Sequence, residues 1–127
     1  MTSGAAGMDL HAAVETEMVV LPGDVGLVPT GLEVAIPDGY EGQVRPRSGL
    51  AVKHALGIPN SPATIDADYR GEIRVPLINL GRSPFVVTRG MRIAQLVIAP
   101  VVQVTWEEVV DLPPTDRAKG GFGHSGV

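Results

Sequence analysis

The sequence predicts an all-β domain, a sandwich, barrel or jelly roll, with one short helix at most. Three observations carry this expectation. Short runs rich in Val and Ile recur along the chain, and turn formers such as Pro22-Gly23-Asp24, Pro37-Asp38-Gly39 and Asn79-Leu80-Gly81 separate them. Branched residues punctuated in this way are the pattern of antiparallel strands. The 127 residues suffice for one domain and not for two, and a hydrophobic content of 44% supplies one core.

In chain order, the runs at residues 18–21, 25–29, 32–36, 42–45, 73–79, 85–88 and 93–110, the last broken at Pro100, read as strands. Residues 50–56 are the one helical candidate. Ser48-Gly49 precedes them, and a helix of one or two turns persists only by packing. Pro76 interrupts a strong strand pattern; because proline cannot donate to a ladder, it is expected at an edge or a bulge. From Thr115 onward apolar residues nearly vanish and Gly120, Gly121, Gly123 and Gly126 cluster. Residues 1–114 are therefore expected to form the β domain, and residues 115–127 a flexible arm.

The chain has no Cys, so any metal must be held by oxygen or imidazole. No window approaches the roughly 20 apolar residues of a membrane span, and no signal-peptide layout opens the chain, so a cytoplasmic protein without membrane association is expected. The net charge of -4 argues against nucleic acid as a partner, because duplex binders concentrate basic residues. Charge distribution is more informative. Residues 1–44 hold seven acids and no Lys or Arg, whereas Arg45, Arg47, Lys53, Arg70, Arg74, Arg82, Arg89, Arg92, Arg117 and Lys119 follow. Cations so gathered either converge on a small anion or stand as solvated surface charge.

Five segments concentrate function-capable side chains. Ser3-Gly4-Ala5-Ala6-Gly7-Met8-Asp9-Leu10 combines small residues, which permit close backbone approach, with a carboxylate that either serves a site or caps its own turn. Arg45-Pro46-Arg47-Ser48-Gly49-Leu50 sets a guanidinium, a hydroxyl and a glycine amide at the expected helix start, groups that suit a phosphate; alternatively Ser48 only caps the helix. The stretch from Asn60 to Gly71 packs Asp66, Asp68 and Tyr69 around a hairpin, offering a general base, a base-edge reader and an apolar plate. Asp66 and Asp68 share a face only if that segment stays extended. Gln95 is an amide in mid-strand that needs a partner or holds a water. In the arm, Gly-rich backbone, Arg117, Lys119, His124 and Ser125 surround Phe122, an odd place for an aromatic ring without a planar partner.

Taken together, Ala6-Gly7-Met8-Asp9-Leu10, Pro46-Arg47-Ser48-Gly49-Leu50, Ile65-Asp66-Ala67-Asp68-Tyr69-Arg70-Gly71, Arg92-Ile93-Ala94-Gln95-Leu96 and Gly120-Gly121-Phe122-Gly123 resemble, in order, the five motifs of trimeric dUTP pyrophosphatases (dUTPases). The resemblance spans nearly the whole chain. It implies a jelly-roll-like β fold, a homotrimer with active sites shared between subunits, and magnesium-dependent hydrolysis of dUTP to dUMP and pyrophosphate, which keeps uracil out of DNA and supplies dUMP for dTMP synthesis. By position, Asp66 resembles the general base that, with Gln95, orients water for attack on the α-phosphorus. Asn60 and the hairpin backbone around Thr64 and Ile65 resemble the uracil-reading groups, and Tyr69 the ring beneath the deoxyribose. Arg47, Ser48 and Gly49 resemble the phosphate-binding motif, and Asp9 the carboxylate supporting Mg2+ through its waters. Arg117, Phe122, Gly123, His124 and Ser125 resemble the arm that closes over the substrate.

Ala63 stands where the family usually has Gly, and an alanine is expected to be strained there if the position takes positive φ. Ala118 replaces a common Gly in the arm, which is expected to stiffen it, and Met91 replaces a common acid. Relatives carry a strand upstream of the first motif, so trimer packing is expected to be altered or the chain shortened. Two rival functions fit parts of the sequence. A dCTP deaminase, related by fold, needs a catalytic Glu where Pro76 stands. A non-catalytic trimeric nucleotide-binding or regulatory module would have no need of Asp66 and Gln95.

Overall fold

A computed structural model describes residues 1–126; Val127, the last residue of the predicted arm, lies outside the described residues. The described residues form nine strands and one helix: β1 (Gly7–His11), β2 (Met18–Val20), β3 (Val25–Glu33), β4 (Tyr40–Arg45), α1 (Ser48–His54), β5 (Leu56–Gly57), β6 (Ala63–Ile65), β7 (Glu72–Asn79), β8 (Phe85–Val87) and β9 (Arg92–Pro100). They pair as three open antiparallel sheets, in the orders β1-β9-β4-β6, β2-β8 and β3-β7-β5, around one core. This is the all-β, jelly-roll-like arrangement the sequence predicts, and no sheet closes on itself.

The core follows from alternation. Along β7, Ile73, Val75, Leu77 and Asn79 point inward, as a two-residue period requires. They meet Val20, Val28, Val44, Val87 and Ile93, all essentially inaccessible. Asn79 is the polar member at 0% exposure, and it is satisfied: its Nδ2 donates to Val20 O (2.9 Å) and Ser83 O (2.8 Å), and its Oδ1 accepts from Gly81 N (2.9 Å). The sequence reading took Asn79 only as turn punctuation.

Several expected elements shift. The run at 25–29 continues to Glu33 as one bent strand, β3, whose register breaks between Pro29 and Glu33 around Gly31 (φ 68), and residues 34–36 of the expected next run lie outside any strand. Strands β1, β5 and β6 lie outside the expected runs, because they are short and carry few branched residues. The helix starts two residues earlier than expected and stops where Ala55 turns left-handed (φ 54). It buries no residue fully, and Leu50 packs its partly buried side chain on the core. Pro76 pairs with Leu27, but the ladder from β7 to β5 ends at Ile78, so the proline sits where β7 has one partner, a local edge. The run at 93–110 pairs only to Pro100. Beyond Val101, whose N–H reaches Gly39 O (2.9 Å), the chain joins no ladder among the described residues and stays exposed.

Candidate active site

The sheet order brings the first and last strands together, and this builds the first cluster. In β1 and β9, Asp9 lies opposite Gln95, and on the other side of β9 Gln95 lies opposite Arg45 at the end of β4. Pro46 then turns the chain so that Arg47 becomes the helix N-cap (φ -90, ψ 131). Asp9, Arg47, Ser48, Gly49 and Gln95 consequently line one cavity of about 210 Å³ that has no apolar side chain in its lining. Arg47 Nε is 3.2 Å from Asp9 Oδ1, and Arg92 Nη1 is 3.6 Å from Asp9 Oδ2. Two guanidiniums outnumber one carboxylate, which leaves the cavity net positive and suited to an anion. Gln95 is held by donating Nε2 to Pro46 O (2.9 Å). The helix start carries no side-chain cap, so Ser48 does not cap it and its hydroxyl stays available.

The small residues before Asp9 do permit close approach. A β-carbon on Gly7 would lie 3.3 Å from Gln95 Cδ and closer still to Oε1.

A second cluster stands where the sequence predicts a hairpin, on the turn that leads from β6 to β7; the two strands belong to different sheets, so no hairpin ladder forms between them. Thr64, Ile65, Asp66, Tyr69, Gly71, Glu72, Ile73 and Arg74 line a cavity of about 460 Å³. The turn is tied internally: Tyr69 N donates to Asp66 O (3.1 Å), and Arg70 Nη1 donates to Ala67 O (2.7 Å) and Tyr69 O (3.1 Å). Tyr69 Oη donates to Glu72 O (2.8 Å), fixing a ring that is 41% exposed. The strand ends at Ile65, so the two aspartates part. Asp66 borders both this cavity and a neighbouring one, where Asp68 lies with Asp38 and Glu41. Asp66 is exposed and, among the described residues, makes no ion pair. Ala63 needs no special backbone: it is buried in β6 opposite Val44 and is not a positive-φ residue, so the expected strain is absent.

Within one chain, the motifs that the resemblance assigns to a site shared between subunits lie apart. Gln95 faces Arg45 while Ile65 faces Gly42. Two strand spacings of about 4.8 Å and three residues of about 3.4 Å put the Cα atoms of Gln95 and Ile65 roughly 14 Å apart, with Asp66 farther still. One water cannot bridge Asp66 and Gln95 of the same chain. Asn60 is exposed in the preceding turn and does not line the hairpin cavity. Arg117, Phe122, Gly123, His124 and Ser125 line neither cavity. The arm coils in local turns, with Arg117 Nε donating to Gly120 O (2.7 Å) and His124 N donating to Gly121 O (3.1 Å). Ala118 (φ 49) and Phe122 (φ 41) are left-handed, so Ala118 does occupy a position that favours Gly. The sequence reading missed Arg92 as a partner of Asp9, the carbonyl of Pro46 and the brace supplied by Arg70. The first two follow only from strand register.

Among the described residues no group of three or more His, Cys, Asp or Glu could cage a metal, and no helix is long and apolar enough to cross a membrane. A sequence profile of the dUTPase family matches residues 1–126. A deoxyuridine 5'-triphosphate nucleotidohydrolase of Desulfotalea psychrophila is 59% identical over 126 residues, covering 99% of this chain and 84% of its own. That of Rickettsia felis is 56% identical over 126 residues, covering 99% and 85%. Among solved structures, a mutant dUTPase of Staphylococcus bacteriophage 80alpha, determined with dUpNHpp, superposes with a TM-score of 0.90 at 26% identity, covering all of this chain and 89% of its own. Motifs in order, an open-sheeted β fold that clusters them, and relatives sharing over half their residues across nearly the full length agree that this chain belongs to the dUTPase family.

Proposed function

We propose that this protein hydrolyses dUTP to dUMP and pyrophosphate at sites assembled from more than one copy of the chain. The observation that carries the reading is the division of the chemistry into complementary parts: a cationic cavity around Arg47 and Gln95, a carboxylate-and-tyrosine cavity around Asp66, and an arm that reaches neither. Each part alone lacks what hydrolysis needs. Brought together from neighbouring copies, they supply a base, a water-orienting amide, phosphate ligands and a lid.

In the assembled site the hairpin cavity takes the base and sugar, with Thr64, Ile65 and the hairpin backbone beside uracil, joined by Asn60, and Tyr69 beneath the deoxyribose. Arg47, Ser48 and the Gly49 amide of another copy hold the phosphates and draw charge from the developing transition state. Asp66 accepts a proton from water while Gln95 fixes that water's second contact. The oxygen attacks the α-phosphorus, the bond to the bridging oxygen breaks, and pyrophosphate leaves. Residues 115–127 form the arm, distinct from the body at 1–114; Arg117, His124, Ser125 and the Gly123 amide meet the terminal phosphates, and Phe122 stacks on uracil.

The residues present fit a magnesium ion carried by the substrate. Magnesium keeps several waters and is held chiefly by phosphate oxygens with one or two carboxylates, and Asp9 in the cationic cavity is placed to take those waters. When bound, the ion neutralises phosphate charge. Asp9 also keeps Arg47 in place through their ion pair.

The reading is tested by pyrophosphate release from dUTP, UTP, dTTP and dCTP with magnesium. Turnover of dUTP alone, lowered at least about 1,000-fold by Asp66→Asn, is expected for loss of a base that also places the water. Co-refolding Asp66→Asn chains with Gln95→Ala chains should restore roughly a quarter of the sites, because random assortment reunites intact partners across the interface. Binding of dUTP without turnover, or no regain on mixing, would sink the shared-site mechanism.

A further inference from the structure

We propose that Gly71 determines how strictly this site distinguishes a deoxyribose from a ribose, by leaving the space in which the Tyr69 ring lies. The inference rests on the reading above that the hairpin cavity takes the sugar. Both residues line that cavity. A β-carbon on Gly71 would lie 2.7 Å from Tyr69 Cζ and 2.9 Å from Cε1, and closer still to the hydroxyl oxygen. No side chain fits there while the ring stays. The ring is drawn across Gly71 by its hydroxyl, which donates to Glu72 O (2.8 Å), so Gly71 and that carbonyl together hold the ring plane.

Gly71 is not required by its own backbone, because it is not among the positive-φ residues. The three atoms nearest such a β-carbon all belong to the tyrosine. The hairpin keeps its shape independently, through Tyr69 N to Asp66 O and Arg70 to the carbonyls of Ala67 and Tyr69. Since the ring is 41% exposed, an alanine at 71 displaces it rather than unfolding the turn. The displaced ring loses its tether to Glu72. A floor that moves no longer meets a 2'-hydroxyl at fixed distance, and rejection by shape, worth on the order of 10- to 200-fold per small group, weakens. Gly71 is thus a positioning residue that acts through Tyr69.

The test is kcat/KM for dUTP and UTP in the intact protein with magnesium, for the wild type, Gly71→Ala, Tyr69→Ala and the double variant, with thermal midpoints alongside. Gly71→Ala should keep the midpoint of the wild type and lower the dUTP-to-UTP ratio about tenfold, with dUTP losing more than UTP. Added to Tyr69→Ala it should change the ratio less than about twofold, as expected when one residue acts through the other. An unchanged ratio in Gly71→Ala, a further fall in the double variant, or a collapse of folding in Gly71→Ala would each overturn the inference and leave the sugar reading standing. A wild type that turns over dUTP and UTP equally would overturn the sugar reading itself, and this inference with it.

Discussion

Two glycines show how much a single missing atom decides. Gly7 and Gly71 have no positive φ, so neither is required by its backbone; in each case a neighbouring side chain, Gln95 or Tyr69, occupies the volume a β-carbon would take. Gly7→Ala would press on the movable end of Gln95 and break its bond to Pro46 O. It should therefore lower kcat for dUTP about 10- to 100-fold, as misplacing a reacting group by an ångström does, while the urea midpoint stays unchanged. Steady-state kinetics beside a denaturation curve would show it, and a full kcat would refute the coupling. Residue types were legible in the sequence: Asp9, Arg47, Ser48, Gly49 and Gln95 were singled out there and do converge. Their contacts were not. That Arg92 joins Asp9, or that Ala63 sits relaxed in a strand, depends on pairing between strands distant in sequence, as Gly7 with Val97 and Val44 with Ala63.

Elements carry the site by register. A one-residue slip between β1 and β9 would send Asp9 to the opposite face from Gln95, since side chains alternate. The three sheets are pinned where they meet, and Asn79 is such a pin, tying β7 to β2 and to the loop before β8. Asn79→Ala removes the amide that serves Val20 O in the interior and Ser83 O and Gly81 N at its half-buried edge. It should cost about 2–4 kcal/mol, read as a lower urea midpoint, with KM for dUTP little changed. A loss below about 1 kcal/mol would mean that water replaces the amide. Turn residues marked the ends of the long strands in the sequence, and Pro76 was rightly placed at a local edge. Strands β5 and β6 were not legible because two or three residues carry no period of their own.

The described residues leave an apolar surface uncovered in one copy. Past Pro100 the segment exposes Val102, Val104, Trp106, Val110 and Leu112, with Trp106 at 95%, a larger apolar stretch than a monomer ordinarily leaves in water. Such a run supports the proposed trimer, in which it would cover and be covered by neighbours. Trp106→Asp should lower both the mass found by sedimentation equilibrium and the specific activity, whereas unchanged association would place the contacts elsewhere. By itself the sequence determined the all-β class and the family, because turn formers, strand period and motif order are local properties of the chain. Only the tertiary structure decided that these residues form two cavities instead of one. Strand register sets which side chains meet, and it places Asp66 and Gln95 of one chain too far apart to share a water.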